Sequence, residues 1–178
     1  MITFHPETLA KESSKVLFSE IIKAISFFKD IYFIFTSPNA DPESDIIIKI
    51  IIEFVKKNNN CCFIKSLGKQ NYLSIIKYVD AVMGNSSSAI TEVPSFKKAT
   101  INIGDRQKGR MQAKSIINCN YNKKDLIHAI NKIYNKKFTN NIKKIKNPYG
   151  KSGSSIKIYN IIKKNIIPKI IKKDFYDI

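Results

Sequence analysis

Residues 80–94, D-A-V-M-G-N-S-S-S-A-I-T-E-V-P, carry the pattern on which the reading of the whole chain turns. Ala81 to Met83 form a short apolar strand that runs into Gly84 and Asn85. Three serines follow, then a helical stretch holding Glu92, which Pro94 stops. A strand delivers the chain to a sheet edge, and small residues let backbone come close to a ligand. The helix that begins there directs unpaired N–H groups and its positive dipole end into the crevice. The hydroxyls of Ser86, Ser87 and Ser88 add donors suited to phosphate oxygens. Glu92, about one to two turns further along, is placed to accept hydrogen bonds from a pair of sugar hydroxyls. The same residues equally describe a helix capped by Asn85 or a serine, with no ligand at all.

Outward from this stretch, strands and helices alternate almost throughout. Ile2 to His5 reads as a strand, and residues 9–29 as a helix with Leu17, Ile21, Ala24 or Ile25, and Phe28 on one face. Ile31 to Phe35 is a continuous apolar run, as expected of a strand buried on both faces. Asp41 as N-cap and Pro42 as first helical residue open a helix to about Lys57, with Ile47, Ile50, Ile51 and Phe54 inward. Cys61 to Ile64 is a strand, Ser66 to Lys69 a turn and Tyr72 to Tyr78 a short helix. Beyond the central stretch come a strand at Ala99 to Ile103, a polar loop from Asp105 to Arg110, a strand at Ser115 to Cys119 and a helix over 123–136. Residues 139–154 read as an irregular linker, and 154–167 as an amphipathic helix ended by Pro168. This alternation predicts an α/β fold with a doubly wound, mostly parallel sheet of about six strands.

The chain has 178 residues, enough for one well-buried core but short for two domains. Its hydrophobic fraction of 43% predicts folding rather than disorder. Lys and Arg total 31 against 14 Asp and Glu, a formal charge of +17 that favours anionic partners. The lysines are spread along the chain among abundant Asn and Ile, with no arginine-rich stripe. The charge therefore reads as compositional bias as easily as a binding surface, and a nucleic-acid face is the lesser reading. Three cysteines without a pairing scheme point to a reducing compartment, and the N-terminal residues lack the layout of a signal peptide. No apolar run approaches the roughly 18–20 residues that span a bilayer. These features predict a cytoplasmic protein with no membrane association. No His, Cys and carboxylate set has metal-ligand spacing, so neither metal nor cofactor is expected.

In a parallel α/β sheet, ligands bind beyond the carboxyl ends of the strands. The segments that follow the strands are His5-Pro6-Glu7, Pro38 to Asp41, Ser66-Leu67-Gly68, Asn85 to Ser88 and Asp105 to Arg110. All five are predicted to share one rim. With them in one view, T-F-H-P-E-T at 3–8, P-N-A-D at 38–41, G-N-S-S-S-A-I-T-E-V-P-S-F at 84–96, I-N-I-G-D-R-Q-K-G-R at 101–110 and N-P-Y-G at 147–150 resemble the UDP-N-acetylglucosamine 2-epimerase family. The likeness is to its hydrolysing branch, which makes N-acetylmannosamine or related sugars for sialic and legionaminic acids.

That resemblance implies the C-terminal half of a glycosyltransferase-B-type fold. Residues 1–138 would form a UDP-binding Rossmann-like domain, and 139–178 a linker and C-terminal crossover helix. It implies diphosphate contacts from Ser86, Ser87 and Arg106, and ribose hydroxyls on Glu92. Uracil is expected at the backbone of Leu67, His5 near the glycosidic phosphate, and Asn39 and Asp41 on a loop facing the sugar. His5, Asn39 and Asp41 are thus the candidate catalytic residues. It implies a UDP-sugar substrate, UDP elimination followed by hydration of a glycal, and a partner: a separately encoded N-terminal domain or a second copy of the chain. Ala89 departs from the pattern, since close relatives tend to carry glycine there.

Structural explanations stand beside each assignment. His5 is also explained as a strand-end histidine satisfied by backbone, Asp41 as a helix cap, Asn39 as a turn residue, and Arg106 and Arg110 as surface loop residues. His128 and the Lys143, Lys144, Lys146 run read as solvated surface. Two other functions remain open: a UDP-sugar-binding module or glycosyltransferase subunit, and a basic nucleic-acid-binding domain. Affinity for nucleic acid would collapse steeply with salt, whereas UDP binding at a built site would persist.

Overall fold

Six apolar segments pair side by side because each is too short and too buried to leave its backbone unpaired. The computed structural model describes residues 1–7, 12–150 and 152–165. The strands are β1 (Ile2–Thr3), β2 (Phe33–Thr36), β3 (Cys61–Ile64), β4 (Ala81–Gly84), β5 (Ala99–Ile103) and β6 (Ile116–Cys119). They form one parallel sheet in the order β3-β2-β1-β4-β5-β6. The two halves of the doubly wound sheet therefore diverge between β1 and β4.

Strand periodicity sorts the side chains into two layers. Ile2, Phe4, Phe33, Phe35, Met83, Ile101, Ile103 and Ile117 join the larger core with α1 (Ser14–Ile25), α2 (Ser44–Lys57) and α5 (Lys123–Ile133). Val82, with Met1, meets Ile76 of α3 (Gly68–Ile76) and Ala89 of α4 (Ser88–Thr91) in the smaller layer, together with Val93 of the 3-10 turn Val93–Phe96. Among the described residues, no helix is long and apolar enough to cross a membrane.

Several boundaries differ from the sequence reading. Helix α1 begins at Ser14, the expected start near residue 9 lying partly outside the described residues. Asp41 does not cap α2. The helix starts at Ser44, after Glu43 in the left-handed region (φ 67°), and the Asp41 carbonyl accepts the Ser44 N–H and hydroxyl at 3.2 and 2.6 Å. Pro42 and Glu43 are occupied by this turn, and the Glu43 carboxylate reaches across to the Ser14 N–H at 2.9 Å, tying α2 to α1. Helix α3 starts a turn early, at Gly68. Helix α4 is a single turn, and Pro94 sits inside the following 3-10 turn, where a missing N–H costs nothing.

The stretch read as an irregular linker opens with the end of α6 (Lys136–Ile142), which Asn135 caps by accepting two backbone N–H groups. Ile142 and Ile145 are buried, and the Asn147 amide donates to the Thr91 carbonyl and the Ser95 hydroxyl, both at 2.7 Å. Helix α7 runs Ser154–Lys164 with no buried residue; the expected helix end at 166–167 and Pro168 lie outside the described residues.

The tightest approach is at Gly84, which pairs with Thr3 (φ 139°). A Cβ there would lie 1.9 Å from the Thr3 carbonyl oxygen, a backbone atom that cannot step aside. Gly84→Ala is therefore expected to destabilise the chain by about 2–4 kcal/mol, read from urea unfolding. A change below about 0.5 kcal/mol would mean that β1 and β4 are not so closely joined.

Candidate functional site

Asn85 follows Gly84 at the divergence of the sheet and is fully buried. Its side-chain oxygen accepts the His5 N–H at 2.8 Å, and its amide donates to the His5 carbonyl at 2.8 Å and the Glu7 carboxylate at 3.0 Å. Its carbonyl accepts from Arg106 Nη1 at 3.1 Å and Gln107 Nε2 at 2.8 Å. Glu7 also accepts the Tyr121 hydroxyl. One side chain and its own carbonyl thus join the loops after β1, β4 and β5, and Tyr121 adds the loop after β6. A buried amide with this many partners meets its hydrogen-bonding needs and fixes those loops together.

His5 is 6% exposed. Its Nδ1 accepts the Asn39 N–H at 3.0 Å, so the neutral ring carries its proton on Nε2. The backbone satisfaction weighed in the sequence is real for Nδ1 and leaves Nε2–H as a donor. Burial lowers the pKa of His5, the Arg106 charge lowers it further, and the Asp41 charge opposes both.

A cavity of about 340 Å³ opens at the carboxyl ends of the strands. His5, Asn39, Leu67, Ser86, Ser88 and Glu92 all line it, over a floor that includes Thr3 and Thr36 with hydroxyls 2.7 Å apart. Asp41, Ser87 and Arg106 are not in its wall. Ser87 is the residue before α4, Arg106 donates to the Asn85 carbonyl just ahead of the serine turn, and Asp41 is near enough for its charge to act on His5. The intraturn bonds start with Ala89 N–H to the Ser86 carbonyl at 3.2 Å, so the N–H groups ahead of Ala89 lie outside that ladder. With a single turn of helix behind them, these groups rather than a macrodipole are what the segment offers an anion.

The Ser88 hydroxyl is engaged differently from its neighbours. It bridges the Tyr72 oxygen at 2.8 Å and Glu92 Oε2. Tyr72, Glu7, Tyr121 and Gln107 were missed in the sequence reading. Glu7 stood in the quoted motif, and a Gly-Asn pair ending a buried strand was the available signal for Asn85. Tyr121 and Tyr72 offered none, because their partners are distant in sequence. Lys65 and Lys69 also line the cavity. Two further cavities, about 290 and 270 Å³, lie at the amino ends of the strands and beside β6 and α5, and hold none of the candidate residues. Among the described residues, no group of three or more His, Cys, Asp or Glu side chains is arranged to hold a metal.

A parallel sheet that diverges between β1 and β4, with its polar cavity beyond the carboxyl edge, defines a Rossmann-like α/β ligand-binding domain. Residues 1–163 match the family described as UDP-N-acetylglucosamine 2-epimerase, and the chain belongs to that family. It is 43% identical over its whole length to the polysialic acid biosynthesis protein P7 of Escherichia coli, and 38% identical to the GDP/UDP-N,N'-diacetylbacillosamine 2-epimerase (hydrolyzing) of Campylobacter jejuni. In both cases it covers 46% of the relative, so the chain spans about half the length of these proteins, their C-terminal half. Among solved structures, the Methanocaldococcus jannaschii UDP-GlcNAc 2-epimerase in complex with UDP-GlcNAc and UDP matches with a TM-score of 0.69 at 22% identity, over 92% of this chain and 44% of that one. The Neisseria meningitidis enzyme bound to UDP-GlcNAc gives 0.66 at 17% identity, over 92% and 43%. The fold is thus that of one half of these glycosyltransferase-B-type proteins.

The lowered pKa of His5 predicts a pH dependence of stability. As pH falls, the unfolded chain protonates this ring near 6.5, before the folded chain does. The contribution of the neutral ring is therefore full above about 6.5 and is lost as pH drops through the folded value. The urea midpoint should fall less between pH 7.5 and 5.5 in His5→Gln than in the unaltered chain. An equal fall would show that His5 protonates alike in both states.

Proposed function

We propose that this chain is the nucleotide-binding half of a hydrolysing 2-epimerase. The complete enzyme would convert a UDP-N-acetylhexosamine to UDP and the free 2-epimeric amino sugar, such as N-acetylmannosamine. The observation that carries the reading is the single cavity lined by six of the nine candidate residues, in a chain of this family. The names of the Escherichia coli and Campylobacter jejuni relatives support the hydrolysing type and a role in making sialic or related acids. Three free thiols suit a reducing, cytoplasmic setting.

In this reading the diphosphate rests on Ser86 and Ser87, with Arg106 supplying a fixed fork of donors beside them. The uracil meets the backbone at Leu67, and Glu92 takes the ribose hydroxyls. Loss of the C2 proton and departure of UDP from C1 leave a C1–C2 glycal, to which water then adds. Nε2–H of His5 donates to the leaving phosphate, stabilising the charge that grows as the C1–O bond breaks. Asn39 orients His5 through its N–H, and Asp41 faces the sugar side of the same loop. The base that removes the C2 proton is supplied by the remaining half.

Titration with UDP and UMP tests the binding reading. UDP is expected to bind more tightly, and Glu92→Ala to weaken UDP by about 1–3 kcal/mol. Equal affinities would remove the diphosphate assignment, and an unchanged Glu92→Ala variant the ribose assignment. UDP binding that persists at moderate salt would exclude the nucleic-acid alternative.

Assembly follows from α7. Ile158 and Ile162 are 56% and 57% exposed at helical spacing, and Ile156, Tyr159 and Ile161 are exposed beside them. Covering such side chains contributes several kcal/mol by area, which favours association with a separately encoded N-terminal half or a second copy. The purified chain is expected to self-associate or to co-purify with that half. UDP release from UDP-N-acetylglucosamine or its 4-acetamido analogue is expected only with the half present. A monomer with full turnover alone would contradict this.

A further inference from the structure

Tyr72 lies on α3, the helix that leads into β4, while Ser88 and Glu92 belong to the turn that leaves it. All three line the 340 Å³ cavity. The Tyr72 ring is half-buried against the smaller core layer with Ile76, Val82 and Ala89, so its hydroxyl is delivered from a rigid base. That hydroxyl lies 2.8 Å from the Ser88 oxygen, and Ser88 in turn holds Glu92 Oε2. Glu92 Oε1 has no partner among the described residues. The glutamate thus has one anchored oxygen and one open one, and its side-chain freedom is already restricted before any ligand arrives.

A carboxylate only accepts hydrogen bonds when ionised, and it repels phosphate. A carboxylate held by one edge in the wall of a cavity fits two hydroxyl donors on neighbouring carbons. The Ser88 hydroxyl, engaged on both sides, belongs to this acceptor rather than to the phosphate donors of Ser86 and Ser87. We infer that Tyr72, acting through the Ser88 hydroxyl, is a positioning residue that holds Glu92 for the ribose diol and so sets a preference for ribonucleotides over 2′-deoxyribonucleotides. This rests on the nucleotide reading of the same cavity. Burial raises the pKa of Tyr72, so the phenol stays protonated at neutral pH and donates to Ser88, whose own proton goes to Glu92.

The test titrates the isotopically labelled chain with UDP and with 2′-deoxy-UDP and follows chemical shifts. The unaltered chain is expected to bind UDP about tenfold more tightly than the deoxy form, the effect of one charge-assisted hydrogen bond. Tyr72→Phe keeps the ring and removes the hydroxyl. It should reduce UDP affinity by about three- to tenfold and weaken 2′-deoxy-UDP, which offers Glu92 only the 3′-hydroxyl, by clearly less, so that the ratio falls. Ser88→Ala should do the same, and Ser88→Thr should restore the ratio. If Tyr72→Phe weakens both ligands equally, Tyr72 only supports the fold and the inference is overturned. If UDP binds but the unaltered chain does not discriminate, the inference fails while the nucleotide reading stands. No binding of either ligand would overturn both.

Discussion

The structure depends most on the buried amide of Asn85. Removing an amide from water is tolerable only when its donors and acceptors are met, and here the partners come from loops far apart in sequence. The bonds that satisfy Asn85 are also the bonds that align the rim. The His5 backbone is fixed on one side of the β1–β4 divergence, and Arg106 and Gln107 are drawn to the carbonyl just before Ser86. Gly84 makes this possible by letting β4 approach the Thr3 carbonyl where no side chain would fit. Stability and site geometry are therefore one arrangement, and the serine turn needs no long helix behind it.

Electrostatics act on a different scale. Among the described residues, only Lys23 and Glu20 form an ion pair, at 2.6 Å, and it is an exposed contact of small energetic weight. The excess of positive charge is thus left largely uncompensated and faces solvent. Such a surface attracts anions broadly and raises encounter rates with a diphosphate, but it does not choose among anions. In the cavity, a neutral histidine donor, serine hydroxyls and an anchored carboxylate present different chemistry over a short distance.

Much of the fold was legible because it follows from periodicity. Continuous apolar runs alternating with amphipathic segments give a parallel α/β sheet, and the polar residues after each strand then gather on one rim. The six cavity-lining candidates came from that logic together with the family resemblance. What stayed hidden depends on distance in space. Tyr121 and Glu7 are 114 residues apart, and no local pattern links them. The α2 start was misplaced because Asp41-Pro42 is a good cap in isolation, whereas Glu43 answers to the N–H of Ser14 on another helix. The Asn- and Lys-rich composition around 136–147 masked α6 and the buried Ile142 and Ile145, since tertiary burial rather than propensity fixes that segment.

The central claim is that this rim is a site for a nucleoside diphosphate sugar. A crystal structure of the chain with UDP bound tests it most directly. The account predicts the diphosphate at Ser86 and Ser87 with Arg106 alongside, the β-phosphate facing His5, and the ribose diol on Glu92. UDP seated instead in the cavity at the amino ends of the strands, or along the lysine-rich surface with the Glu92 wall empty, would contradict it.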